Sequence, residues 1–278
     1  GVIARLAGGR LAPEAVPDGP TLWWAWGAPN GPAWAVGEAG RILRRDPDGR
    51  WTAEPSGLDD KAVLWGIWGA SASDLWAAGG STRRGGPKAV VLRSSGNGQW
   101  HRVLDARLPS EDPTDPLAGR NLYKVWGSGP TEVFVVGEAG IALRWDGQAW
   151  ATLPGADALL FTVHGHPAGA RFAVGGLDQG RVFTVNDTRL EEVPLGALNP
   201  LNGVAVSPDG VLAVGARGVM LWNDGLAWCR QRPQPDWATA TLHGARLAPA
   251  RWAVGGDLAA QTAGVILTDE PVDEVALP

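Results

Sequence analysis

The 278-residue chain is 45% apolar and 19% charged, with a formal charge of −5; it has ample material for a core and no global basic character of the kind that binds nucleic acid. Its 40 glycines and 22 prolines argue against long helices and for short strands joined by tight turns. No stretch approaches the roughly 18 consecutive apolar residues of a membrane-spanning helix, and the single cysteine, Cys229, admits no intrachain disulfide.

In chain order, Gly1-Val2-Ile3-Ala4-Arg5-Leu6 followed by Arg10-Leu11 to Val16-Pro17 reads as two outer strands without inner ones before them. The next segment sets a pattern: Leu22 to Trp26-Gly27, Trp34-Ala35-Val36-Gly37, Ile42-Leu43-Arg44, then Asp48-Gly49-Arg50-Trp51. It returns as Leu64 to Trp68-Gly69, Asp74-Leu75-Trp76-Ala77-Ala78-Gly79, Val90-Val91-Leu92-Arg93 and Asn97-Gly98-Gln99-Trp100. A third copy runs from Leu122 through Val135-Val136-Gly137 and Arg144 to Asp146-Gly147-Gln148-Ala149-Trp150. Weaker copies run from Leu160 through Gly175 to Val193, from Leu201 through Gly215 to Trp228, and from Leu242 through Gly255 to Leu267. The motif glycines Gly37, Gly79, Gly137, Gly175, Gly215 and Gly255 are 42, 58, 38, 40 and 40 residues apart.

Each unit reads as four short strands, here a to d, and the Asp-Gly or Asn-Gly turn before d is a strong hairpin signal. Four-stranded antiparallel units repeated about every 40 residues predict a β-propeller. The repeats occupy approximately residues 18–56, 57–108, 118–154, 156–195, 197–232 and 236–278 of a single domain, 1–278. Residues 1–17 resemble the c and d strands at Gly180 to Val193 and Gly264 to Pro278, so they read as an outer half-blade. The expectation is therefore an all-β, seven-bladed propeller, its first blade incomplete in this chain and the chain part of a longer polypeptide. Recurrent rings such as Trp34, Trp68, Trp76 and Trp126 fill the wedge between blades, each burying roughly 150–250 Å².

The pattern Trp-Gly, Asp-Leu-Trp-Ala-x-Gly, Leu-Arg, Asp-Gly-x-x-Trp resembles the Trp-Gly/Asp-Val-Trp-Ala-Val-Gly propeller repeats of myxobacterial secreted proteins and lipoproteins. Those are similar, at superfamily level, to bacterial neuraminidase-repeat and photosystem II assembly propellers. The resemblance covers nearly the whole chain and implies an extracytoplasmic location: periplasmic, outer-membrane-attached or secreted. It rests on structural residues, so it speaks to fold and not to activity.

Candidate chemistry is sparse. A sialidase-like site would need an arginine triad and a tyrosine nucleophile. The only tyrosine, Tyr123, falls in the slot of Trp23, Trp65 and Phe161, and Arg44, Arg93 and Arg144 share one strand-c position, suited to pairing at blade surfaces. His164 and His243 align with Trp26, Trp68 and Trp126 as smaller inter-blade fillers, so no metal or other cofactor is expected. Glu111, Asp112 and Asp115 cluster in the long insertion as a solvated acidic loop, with calcium a lesser alternative.

What remains is surface that departs from the repeat. The b–c loop carrying Arg83, Arg84 and Lys88, the acidic insertion with Glu111, Asp112 and Asp115, and the loop ending at Trp237 emerge at one end of the blades, with Trp23, Trp24 and Trp65 as spare rings. These residues form the candidate binding face. The expected function is a non-catalytic interaction or assembly platform for a protein partner. The alternative is a carbohydrate-binding lectin, and a glycosidase-like enzyme is the third reading.

Overall fold

The computed structural model describes residues 3–7, 10–104, 117–167, 169–247, 250–256 and 264–269. A two-stranded sheet, β1 (Ile3–Ala7) and β2 (Arg10–Glu14), precedes the blades. Blade 1 is β3 (Leu22–Gly27), β4 (Ala33–Gly37), β5 (Ile42–Arg45) and β6 (Trp51–Glu54). Blade 2 is β7 (Val63–Ser71), β8 (Asp74–Gly80), β9 (Val90–Ser94) and β10 (His101–Arg102). Blade 3 is β11 (Leu122–Gly129), β12 (Glu132–Gly137), β13 (Ala142–Trp145) and β14 (Trp150–Thr152). Blade 4 is β15 (Leu160–Gly165), β16 (Arg171–Gly175), β17 (Arg181–Val185) and β18 (Leu190–Glu192). Blade 5 is β19 (Leu201–Ser207), β20 (Gly210–Gly215), β21 (Met220–Asn223) and β22 (Trp228–Gln231). Blade 6, among the described residues, is β23 (Thr241–Leu247), β24 (Arg251–Gly256) and β25 (Gly264–Thr268).

Among the described residues the propeller therefore has six blades, which corrects the expected seven. Residues 1–17 supply no seventh blade. Strands β1 and β2 bond to each other in register from Ile3↔Glu14 to Ala7↔Arg10 and, among the described residues, pair with no other strand. The hairpin is instead clamped onto the outer part of blade 1. Glu14 takes a bidentate hydrogen bond from Arg45, with Nη2–Oε1 at 2.7 Å and Nε–Oε2 at 2.8 Å, and a third from Trp51 Nε1 at 2.7 Å. These donors hold the Glu14 carboxyl below the usual carboxylate range. Ile3 and Val16 pack beside them on Ala35, Leu43 and Trp51.

The chain divides into two compact units, Gly1–Pro130 and Thr131–Glu270. In the first, β3 packs on β7 and β7 on β11; in the second, β15 packs on β19 and β19 on β23. The first unit's core gathers Trp34, Val36, Leu64, Ile67, Leu75 and Leu92, and the second's gathers Phe172, Val174, Val182, Leu201, Val204 and Val211. Of the recurrent rings, Trp34, Trp76 and Trp126 are buried as expected, whereas Trp68 is only partly buried.

The motif glycine has a steric cause. Strand a carries a one-residue bulge opposite it, between Leu22 and Trp24, Leu64 and Gly66, Leu160 and Thr162, Leu201 and Gly203, and Leu242 and Gly244. The bulge drives a carbonyl against the glycine. A Cβ on Gly37 would lie 1.9 Å from the Thr21 oxygen, and one on Gly175 would lie 1.9 Å from the Leu159 oxygen. The c–d turns form where the Asp-Gly and Asn-Gly pairs predict them, but with one positive-φ position and not the two of a type I′ turn. At Asp146-Gly147 only the glycine is left-handed (φ 99°), and the Asp146 carboxylate instead accepts from the Gln148 and Ala149 N–H groups, each at 2.8 Å.

Candidate interaction face

In the first unit the a strands begin, and the b–c loops turn, at the same end of the blades, because β7 and β8 pair Leu64 with Gly79. Trp23 is 43% exposed there, on a strand whose alternate residues face out. Trp65 and Tyr123, both partly exposed, meet edge-to-face with centroids 5.1 Å apart. Trp24 has a different role from the one expected. Its ring packs against the Trp34–Leu64 cluster and forms the floor under Lys124.

Lys124 is the residue that the sequence reading missed. It is buried on β11, at a position where the other a strands carry Trp24, Gly66, Thr162, Gly203 and Gly244. Gly66 lets the strands close up: a Cβ there would lie 3.0 Å from both the Lys124 Cα and the Tyr123 oxygen. The Lys124 side chain reaches across to blade 1. Its Nζ stands 3.1 Å from the Trp24 ring centroid and 3.4 Å from the Trp65 carbonyl oxygen. Burial pushes its pKa down to about 7, because the ammonium has exchanged water for a π face and one carbonyl. A charged residue among glycines, a threonine and a tryptophan at a repeated inner-strand position was a visible signal.

The b–c loop of blade 2 sits beside this cluster and is built from within. The Asn121 Oδ1 accepts from the Ser81 N–H at 2.9 Å, and Ser81 Oγ donates to the Lys61 carbonyl at 2.7 Å. Lys88, expected as a free surface charge, is tied into that network: its Nζ donates to the Ser81 carbonyl and, at 3.4 Å, to Asn121 Oδ1. Arg83 and Arg84 stay exposed, Arg83 with one long bond to the Asp60 carbonyl at 3.4 Å. Glu111, Asp112 and Asp115 lie outside the described residues. Trp237 belongs to the second unit, in a short 3-10 turn, Pro235–Trp237, ahead of β23.

The recurrent arginines are structural. Arg93 pairs with Asp74 at 2.7 Å while stacking 4.5 Å from the Trp76 centroid, Arg144 pairs with Glu132 at 3.3 Å, and Arg44 pairs with Asp46 at 3.4 Å. Each stays with its own blade, so they do not converge on a shared carboxylate site. His164 fills a Trp slot as expected. Its Nδ1 accepts from the Val206 N–H at 3.0 Å, and burial pushes its pKa down to about 4. His243 is displaced by one position from the expected alignment: it is the bulge residue of β23, equivalent to Trp65 and not to Trp68. No cluster of three or more metal-ligating side chains occurs among the described residues, and no helix among them is long and apolar enough to cross a membrane.

No family model and no curated protein matches the chain. Solved structures do match. A structure of YCF48 bound to D1 peptide is 16% identical with a TM-score of 0.66, covering 91% of this chain and 78% of that one. YCF48 from Cyanidioschyzon merolae is 13% identical with a TM-score of 0.64, covering 92% and 87%. The C-terminal WD40 domain of Sif2 is 10% identical with a TM-score of 0.62, covering 91% and 72%. At such identities the likeness is one of fold, and that fold is the β-propeller.

Proposed function

We propose that this chain is a non-catalytic platform for protein interaction or assembly, and that it receives an extended peptide segment bearing carboxylates at the end of the first unit where the a strands begin. The observation that carries this reading is the Lys124 ammonium, buried against the Trp24 ring and the Trp65 carbonyl, on a unit that also exposes Trp23, Arg83 and Arg84 and holds the partly exposed Trp65–Tyr123 pair. Aromatic rings and arginines are the residue types that dominate binding energy at protein interfaces. A buried cation held only by a π face and a carbonyl gains most from an approaching carboxylate. The structural likeness to YCF48 bound to D1 peptide and to a WD40 domain supports a protein partner, and the repeat resemblance supports an extracytoplasmic setting.

The test is a random peptide library displayed on phage and panned against the folded chain, followed by affinity measurements on the selected peptides. Peptides enriched in Asp and Glu, whose affinity falls at least tenfold in Trp23→Ala, Trp65→Ala and Lys124→Met, are the expected result. Peptides without acidic enrichment, or indifferent to all three substitutions, would overturn it.

A further inference from the structure

The second unit contains a cavity of about 210 Å³ between blades 5 and 6, and its origin is legible in the repeat. Strands a and b elsewhere face each other through large side chains, Trp26↔Trp34, Trp68↔Trp76 and His164↔Phe172. In blade 5 the same pair is Ala205↔Leu212. Two rings are thus absent from one wedge. Trp222 partly refills the space from β21, where the first three blades carry Arg44, Arg93 and Arg144. The cavity is left with an apolar floor of Leu212 and Ala253 and three indole walls, Trp222, Trp237 and Trp252.

The mouth is polar but charge-balanced. Arg251 Nε donates to Asp269 Oδ2 at 2.8 Å and its backbone N–H to Oδ1 at 2.9 Å, while its guanidinium stacks 5.3 Å from the Trp222 centroid. Gln231 adds an amide. A cationic ligand would find one indole already covered by Arg251 and the Asp269 charge already neutralised. An anion would have to displace Asp269. An apolar side chain of a protein would dehydrate the ion pair and the amide without replacing their hydrogen bonds, which disfavours it. A pyranose avoids all three penalties: its C–H face lies on an indole, and its hydroxyls both donate and accept at the mouth. The volume sits below the ~300–1,000 Å³ of drug-sized sites, which suits a single ring.

We infer that this groove is a one-residue saccharide site, distinct from the peptide face of the first unit and independent of it. The repeat degeneracy that opens the groove also explains why one site suffices: Leu212 is the only non-aromatic residue at its repeat position.

The experiment is saturation-transfer NMR on the full chain with the methyl glycosides of glucose, galactose, mannose and N-acetylglucosamine. Two variants accompany it. Leu212→Trp restores the ring of the other blades and fills the cavity, and Trp237→Ala removes a wall that lies in a surface turn outside the core. At least one glycoside is expected to bind saturably and to lose tenfold or more in affinity in both variants. Binding of none of the four, or binding unchanged in Trp237→Ala, overturns the proposal. So does tighter binding at these residues of tetramethylammonium, which would make the groove a cation cage, or of an indole-bearing peptide, which would make it a side-chain pocket.

Discussion

Replacing Lys124 with methionine should stabilise the protein near neutral pH, and the size of the gain should depend on pH in a defined direction. The side chain is buried, and its pKa falls from 10.5 when unfolded to about 7 when folded. Between those values the unfolded chain binds a proton that the native chain does not, so stability rises with pH across that window and is lost as pH falls from 10.5 towards 7. Each tenfold loss of proton affinity on folding corresponds to about 1.4 kcal/mol, which sets a ceiling on the order of 5 kcal/mol. The Trp24 face offsets this by about 1–2 kcal/mol, since a desolvated cation–π contact favours the charged form. A net gain on the order of 3–4 kcal/mol at pH 7 for Lys124→Met follows, shrinking towards zero by pH 10. In thermal unfolding, 1 kcal/mol is worth about 2–4 °C for a chain of this size. Both proteins should be scanned at pH 6.5, 8 and 9.5, because other titrating groups are common to both and cancel in the difference. Parallel profiles, or a methionine variant less stable at pH 7, would refute the assignment. A variant that is more stable and binds selected peptides less well would show the ammonium retained for binding at the expense of stability.

Other predictions follow from single contacts. His164 is held neutral with a pKa near 4 against 6.5 unfolded, so stability is present above pH 6.5 and on the order of 3 kcal/mol is lost as pH falls through 4; His164→Asn, which retains an acceptor for Val206, should flatten that decline in acid denaturation monitored by tryptophan fluorescence. Gly175→Ala places a Cβ against the Leu159 carbonyl oxygen and should cost more than about 3 kcal/mol by chemical denaturation; a loss below about 1 kcal/mol would mean the bulge relaxes freely. Arg83→Ala with Arg84→Ala should leave the unfolding temperature within about 4 °C, because exposed charges contribute about 0–1 kcal/mol, while weakening peptide capture more at low salt than at high. A large drop in stability would make these arginines structural.

The blade pattern was readable in the sequence because its causes are local and repeated. The Asp-Gly turn acts within a few residues, and the bulge and its close-approach glycine act across one a–b hairpin, so they recur wherever Leu, Gly and Asp recur at the right spacing. The blade count was not readable, because Ile3–Ala7 and Arg10–Glu14 have the same strand character in a separate hairpin as in an outer half-blade. What decides between them is Glu14 meeting Arg45 and Trp51, a contact 31 and 37 residues away with no periodic signature. Lys88 shows the same limit: a lysine in a Gly-rich loop looks like solvent-facing charge until Ser81 and Asn121 close around it.

The departures from the repeat carry the functional argument, and they separate into two physical kinds. Some are insertions outside the packed layers, such as the Arg83–Arg84 loop, which alter surface charge and leave the blades intact. Others are substitutions inside the layers, and these have consequences that the fold must absorb. Lys124 puts a cation where its neighbours put glycine or threonine, and Leu212 with Ala205 puts small side chains where others put rings. A propeller tolerates both because most packing is within a blade or between adjacent blades, so a local loss of packing does not propagate around the repeat. The architecture thus leaves individual wedges and inner-strand positions open to change while the recurrent rings and glycines hold the rest. Restoring the repeat at Leu212 and removing the charge at Lys124 therefore test one principle at two independent places. Each change should move the chain towards a more regular and more stable propeller, and each should remove a different binding activity.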